Sequence, residues 1–157
     1  MPEEGVALRP RNEFMTSEEV IQIASNFVEL GVKKIRLTGG EPLIKKDFNN
    51  ILNQLSELGV EIFVTTNGIL LHKYFKTLLK AGVKKINISL DTLNKHQFNL
   101  ITRRDHFDLV YQNIDKAIDL FDEVKLNVVL IKGKNDNEVL DFIKLTQQKK
   151  VNIRFIE

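Results

Sequence analysis

The chain of 157 residues contains no cysteine. That excludes any disulfide, and any iron–sulfur cluster held by cysteines of this chain alone. Charge of one sign is also missing: the formal net charge is +2, too near balance to argue for nucleic acid or an anionic membrane as partner. No apolar run is long enough to span a bilayer. The opening Met1-Pro2-Glu3-Glu4-Gly5 lacks the charged and apolar regions of an export signal, so a cytoplasmic location is expected. There is no Walker loop, no G-x-G-x-x-G and no nucleophile elbow. His72, His96 and His106 have no metal-ligand spacing and are expected at the surface.

What is present is a repeat. Leu30-Gly31-Val32-Lys33-Lys34-Ile35-Arg36-Leu37 is echoed by Leu58-Gly59-Val60-Glu61-Ile62-Phe63-Val64 and by Ala81-Gly82-Val83-Lys84-Lys85-Ile86-Asn87-Ile88. Each reads as a helix end, a terminating glycine and a strand. Two further strands are predicted at Val124–Leu130 and Val151–Phe155, with helices near Asp47–Leu58, Leu71–Ala81, Phe107–Leu120 and Glu138–Gln147. Ahead of them Thr16 and Glu19 have capping-box spacing before the helical set Val20, Ile23, Ala24, Phe27 and Val28. Residues 1–15, with Pro2, Gly5 and Pro10, read as irregular, and 16–157 as one helix followed by five βα-type strands separated by helices. The fold class is α/β with a parallel sheet, and a barrel-type and a doubly wound sheet both fit. Nothing resembling a linker divides the chain, which predicts one domain over 1–157.

Alternation along the strands separates two faces. Ile35, Leu37, Ile62, Val64, Ile86, Ile88, Val124, Leu126, Val128, Ile153 and Phe155 fall on one. The other collects Arg36, Thr38, Thr65, Asn87, Ser89, Lys125, Asn127 and Arg154. A parallel sheet covered on both sides should be apolar on both. Burying unpaired cations costs several kcal/mol each. The polar face is therefore expected to line a barrel interior or crevice that holds an anionic ligand, with an internal polar network as the alternative. Ligands of such folds sit at the C-terminal strand ends. Thr38-Gly39-Gly40-Glu41-Pro42, Thr65-Thr66-Asn67-Gly68 and Ser89-Leu90-Asp91 all lie there. Two glycines after a strand let backbone N–H groups approach a small polar ligand, and Glu41 suits a hydrogen bond to that ligand better than a general base. Lys125 fits a Schiff base or a phosphate-binding point charge. Arg103-Arg104-Asp105 reads as a charged surface turn between helices.

At Leu30–Leu43, Thr65–Gly68, Ile88–Asp91, Ile101–Asp105, Lys125–Val129 and Arg154–Glu157 the sequence resembles the GTP 3′,8-cyclases of molybdenum cofactor biosynthesis. These are lyases of the radical S-adenosylmethionine superfamily. Gly-Gly-Glu-Pro is general to the superfamily; Arg-Leu-Thr before it and Arg-Phe-Ile-Glu are far more specific to the cyclases. The resemblance implies an incomplete parallel (β/α) TIM-like barrel. It implies that Gly39, Gly40, Glu41, Ser89 and Asn127 bind the cofactor S-adenosylmethionine, and that Arg36, Thr65 and Lys125 bind GTP. It implies a metal-binding family with two [4Fe–4S] clusters and allows a homodimer of the full-length family. In that family a 5′-deoxyadenosyl radical takes the 3′ hydrogen of GTP, and the ribose radical attacks C8 of guanine. The product is (8S)-3′,8-cyclo-7,8-dihydroguanosine 5′-triphosphate.

The chain departs from that pattern at both ends. The family's Cys-x-x-x-Cys-x-x-Cys run and first strand should precede Met1, and the three cysteines of its second cluster should follow Glu157. On this reading the chain lacks the first strand and the C-terminal extension, carries no catalytic residue, ligates neither cluster and is inactive alone. An unpaired sheet edge would then favour self-association or poor solubility. Two other readings stand beside it: a non-catalytic nucleotide-binding remnant of the same fold, and a Schiff-base aldolase using Lys125.

Overall fold

The computed structural model describes residues 14–157. The irregular opening segment expected for residues 1–15 falls almost wholly outside them. The predicted capping box is present: Thr16 Oγ1 accepts from the Glu19 amide and the Glu19 carboxylate accepts from the Thr16 amide. It opens α1 (Ser17–Glu29), and Gly31 just beyond has the left-handed φ of +96° that releases the chain into β1 (Lys34–Leu37).

From β1 the chain runs α2 (Phe48–Glu57), β2 (Glu61–Thr66), α3 (Phe75–Lys80), β3 (Lys85–Ser89), α4 (Lys95–Thr102), α5 (Phe107–Leu120), β4 (Glu123–Val129), α6 (Val139–Gln148) and β5 (Asn152–Ile156). The strands pair in parallel in the order β1-β2-β3-β4-β5. This order decides between the two architectures open to the sequence. A doubly wound sheet reverses its strand order once; here it never reverses. Right-handed crossovers then carry every connecting helix to the same face, as in a barrel wall.

That face is the aliphatic one. Val64, Ile86, Ile88, Leu126 and Val128 from the strands are buried with Leu52, Leu55, Leu78, Ile114 and Phe142 from the helices. Each fully buried side chain of this size contributes roughly 1.5–3 kcal/mol, which is why the helices stay docked.

Two helices differ from expectation. The helix predicted over Leu71–Ala81 is a 3-10 turn at Leu71–Lys73 followed by α3 alone. Tyr74, at φ −114°, breaks the helical path between them. Leu71 and Phe75 are both buried, so packing holds this break. The other is α4, absent from the periodicity reading. It buries only Phe98, too little for an apolar stripe, and is started by Asn94, whose side chain accepts from the Gln97 amide. Arg103 ends it with the left-handed φ of +57°, and Arg103–Asp105 form the exposed charged turn expected there.

Candidate functional site on the open face

Pairing register arranges the second face of the sheet in rows. Arg36, Phe63, Lys85 and Glu123 form one row across β1 to β4. Thr65, Asn87, Lys125 and Asn152 form the next. Ser89, Asn127 and Arg154 form a third, nearer the C-terminal strand ends. The residues singled out for GTP (Arg36, Thr65, Lys125) thus lie in the two deeper rows. Ser89 and Asn127, singled out for the cofactor, lie beside each other in the third. Gly39, Gly40 and Glu41 follow β1 at the same end of the sheet.

The deeper rows are charged and partly self-compensated. The Arg36 guanidinium stacks over the Phe63 ring, 5.2 Å from its centroid. Glu123 reaches Lys85 at 3.0 Å and Lys125 at 3.4 Å. The hydrogen bond from Lys85, with the Lys125 charge beside it, pulls the Glu123 carboxyl below its usual range, and the same contact raises Lys85. Asn87 is buried, whereas Arg36, Ser89 and Arg154 are exposed. The Asn127 Oδ1 atom is buried and has no hydrogen-bond partner, so it offers a free acceptor beside Ser89.

The glycine loop is open. A Cβ placed on Gly39 or Gly40 meets nothing within 4 Å. Between this loop and the start of α1 lies a cavity of about 1030 Å³, lined by Met15, Thr38, Gly39, Gly40, Pro42 and Lys45 among others. Glu41 is largely committed to the protein. Its carboxylate accepts from Thr66 Oγ1 at 2.7 Å, the Asn67 amide at 2.6 Å and the Leu43 amide at 3.1 Å. A carboxylate has about four acceptor positions, which leaves one for a ligand.

A second carboxylate, which sequence reasoning did not single out, does similar work across β3 and β4. Glu138, buried just ahead of α6, accepts from Thr92 Oγ1 at 2.6 Å and the Leu93 amide at 2.7 Å. Asn135, fully buried, donates to the carbonyls of Asp91 and Val129 and accepts from the Ile131 amide. Asp91 accepts from the Val129 amide, and burial pushes its carboxyl above the usual range. The local sequence gives little sign of this assembly: Asn135-Asp136-Asn137 is a short polar run, and Glu138 reads as the first residue of the helix expected over Glu138–Gln147. His72, His96 and His106 are exposed. No helix among the described residues is long and apolar enough to cross a membrane.

Residues 3–146 match the profile of the radical SAM superfamily. The chain belongs to the radical SAM superfamily. Among curated relatives it is 49% identical over 160 aligned positions to "Molybdenum cofactor biosynthesis protein 1" of Dictyostelium discoideum, matching all of this chain and 25% of that protein. It is 46% identical over 160 positions to "GTP 3′,8-cyclase" of Peptoclostridium acidaminophilum, matching all of this chain and 49% of that protein. The chain therefore spans a quarter to about half the length of these relatives. Among solved structures, Streptococcus suis SuiB bound to the precursor peptide SuiA superposes with a TM-score of 0.75 at 18% identity, over 97% of this chain and 35% of that one. SuiB bound to S-adenosylmethionine superposes with a TM-score of 0.64 at 15% identity, over 91% and 44%. These likenesses show a shared α/β fold, and with the family match the open five-stranded parallel sheet is consistent with an incomplete radical SAM barrel.

The superfamily's two kinds of cofactor fare differently on these residues. An open glycine pair and an unpartnered buried acceptor at Asn127 fit S-adenosylmethionine, which carries both amino and hydroxyl donors. An iron–sulfur cluster does not fit. The chain has no cysteine, and no group of three His, Asp or Glu among the described residues could hold a metal.

Proposed function

We propose that this chain is the substrate- and cofactor-binding barrel segment of a GTP 3′,8-cyclase, the radical S-adenosylmethionine lyase of molybdenum cofactor biosynthesis. Residues 1–157 form one partial-barrel domain. Gly39, Gly40, Glu41, Ser89 and Asn127 bind S-adenosylmethionine; Arg36, Thr65 and Lys125 bind GTP. Bound S-adenosylmethionine supplies the hydrogen-abstracting radical chemistry, with cluster ligands from outside this chain. The partners are GTP and S-adenosylmethionine, with neither nucleic acid nor membrane. The cytoplasmic location and a homodimer of the full-length protein belong to the same proposal.

The observation that carries this reading is the sorting of the open face by row. Arg36 and Lys125 bring fixed positive charge to the deeper rows, where a triphosphate needs it. Ser89 and the free Asn127 acceptor lie nearer the strand ends, where hydroxyl and amino donors can be met. Ligands stacked along the strands in that order would be held with the ribose of GTP facing the cofactor, which is the orientation that hydrogen transfer requires. The sheet keeps both sets of groups on one rigid wall.

Calorimetric titration of each ligand tests this. Lys125→Ala and Arg36→Ala should each weaken GTP binding about tenfold, equivalent to losing one charge-assisted hydrogen bond, and leave S-adenosylmethionine within about twofold. Asn127→Ala should do the reverse. Equal effects of all three variants on both ligands would refute the sorting.

The absence of cysteine favours one second reading, a nucleotide-binding remnant without catalysis. It predicts the same titrations but no turnover in any context that supplies clusters. A Schiff-base role for Lys125 has less support. Its nitrogen is ion-paired with Glu123, whose charge offsets that of the neighbouring Lys85, rather than set in the apolar or uncompensated cationic surroundings that activate such lysines.

A further inference from the structure

The deeper rows contain an anion where an anionic ligand is proposed to bind. Glu123 opens β4, on the same strand face as Lys125 two residues later. Across the sheet it is in register with Lys85. One carboxylate therefore spans both lysines: Oε2 lies 3.0 Å from Lys85 Nζ and Oε1 lies 3.4 Å from Lys125 Nζ. Asn152, the register partner of Lys125 on β5, donates to Oε1 at 3.3 Å and fixes the carboxylate from the other side. The side chains of Lys85, Glu123 and Lys125 are 47%, 29% and 26% exposed, so the cluster is ordered by its partners yet reachable from solvent.

We propose that Glu123 is a resident counter-anion of the polyphosphate subsite: it gathers Lys85 and Lys125 into one cationic pair and competes with ligand phosphate for them. The inference rests on the reading above that Lys125 meets GTP, and it adds Lys85 to that subsite. Two lysines about one carboxylate leave a single net positive charge. Each phosphate oxygen that pairs with Lys125 does so at the expense of the contact to Glu123 and against its charge. Glu123 is thus a positioning residue that sets an upper limit on affinity. A ligand with several phosphate charges can outcompete it, whereas one with a single charge is disfavoured.

The test is calorimetric titration of the full chain with inorganic triphosphate, which needs neither guanine recognition nor a cluster. Glu123→Gln keeps the shape and the Asn152 contact and removes the charge. It should bind triphosphate about fivefold tighter at low salt, with the gain shrinking as salt screens it. In a Lys125→Ala background the gain should fall below about twofold, because one of the two lysines for which Glu123 competes is gone and only Lys85 is left to release. Lys85→Gln, at an exposed position that folding tolerates, should weaken binding about twofold and gives an answer independent of how well Glu123→Gln folds. If Lys125→Ala weakens binding but Glu123→Gln binds triphosphate no tighter than the parent chain, the counter-anion role is wrong and the GTP reading stands. If Lys125→Ala leaves triphosphate binding unchanged, or the parent chain binds none, the GTP reading fails and takes the counter-anion role with it.

Discussion

Glu41 and Glu138 share one pair of contacts at two places in the sheet, and the outcome differs. Each accepts from a threonine hydroxyl, Thr66 or Thr92, and from the next backbone amide, Asn67 or Leu93. In both cases the threonine oxygen also accepts from the amide two residues on, Gly68 or Asn94. Glu41 reaches forward from the end of β1 to the end of β2. Glu138 reaches back from the start of α6 to the turn after β3. The Glu138 latch is closed: it is 9% exposed, its threonine is fully buried, and Asn135 ties the neighbouring turn. The Glu41 latch is half open, beside two glycines that nothing covers. One motif thus seals the wall between β3 and β4 and, between β1 and β2, braces a loop that must stay accessible.

The largest expected effect is on stability. Glu138→Ala removes the acceptor of the buried Thr92 hydroxyl and of the part-buried Leu93 amide and should cost about 3 kcal/mol in urea unfolding, against about 2 kcal/mol for Glu41→Ala. A larger loss at Glu41 would break the contrast between sealed and open latches. S-adenosylmethionine binding should order the two variants the other way. Glu41→Ala should weaken it about tenfold by releasing the glycine loop, while Glu138→Ala, in samples verified as folded, stays within about threefold. Next come the paired variants Thr66→Val and Thr92→Val, each expected to cost about 1 kcal/mol, with Thr92 the more costly because it is fully buried.

The glycines sharpen the comparison within the open latch. Gly39 has a φ of +144°, so Gly39→Ala should cost about 1 kcal/mol in backbone strain. Gly40 has neither that strain nor a neighbour within 4 Å, so Gly40→Ala should leave the melting profile within about 0.5 kcal/mol. The smallest effect is in pH dependence. Burial raises the Asp91 carboxyl, so the folded state holds its proton to higher pH than the unfolded chain does. The Asp91 contribution to stability is therefore best when protonated and declines as pH rises from an aspartate's ordinary value of about 3.8 through the higher folded-state pKa. Asp91→Asn should remove that slope; an unchanged pH–stability profile would show that the closed latch does not feel the charge.

The strand–helix order was legible because its signals are local. Leu58-Gly59-Val60 and Ala81-Gly82-Val83 each carry a helix end, a left-handed glycine and a strand entry within a few residues, and Gly59 and Gly82 do take φ of +70° and +73°. The division into an apolar and a polar face was legible from period-two alternation alone. Register was not, since which residue of β4 stands beside Lys85 depends on pairing, and so the role of Glu123 stayed hidden. The latches were hidden for the same reason: Glu41 finds Thr66 25 residues away and Glu138 finds Thr92 46 residues away. Sequence reading assigned Glu41 to the ligand; the spatial neighbours show most of its carboxylate bonded to the chain itself.

The strand order also has a consequence for how the chain is made. Among the described strands, each pairs only with its neighbours in sequence: β2, β3 and β4 with the strands synthesised just before and just after, β1 with β2 and β5 with β4. No strand waits for a distant partner, so the loops closed during assembly are one strand–helix unit long and their entropic cost stays small. As the polypeptide leaves the ribosome, each new unit meets an edge that is already standing. Growth from the amino end should then proceed as stepwise docking, with the newest strand always the exposed one.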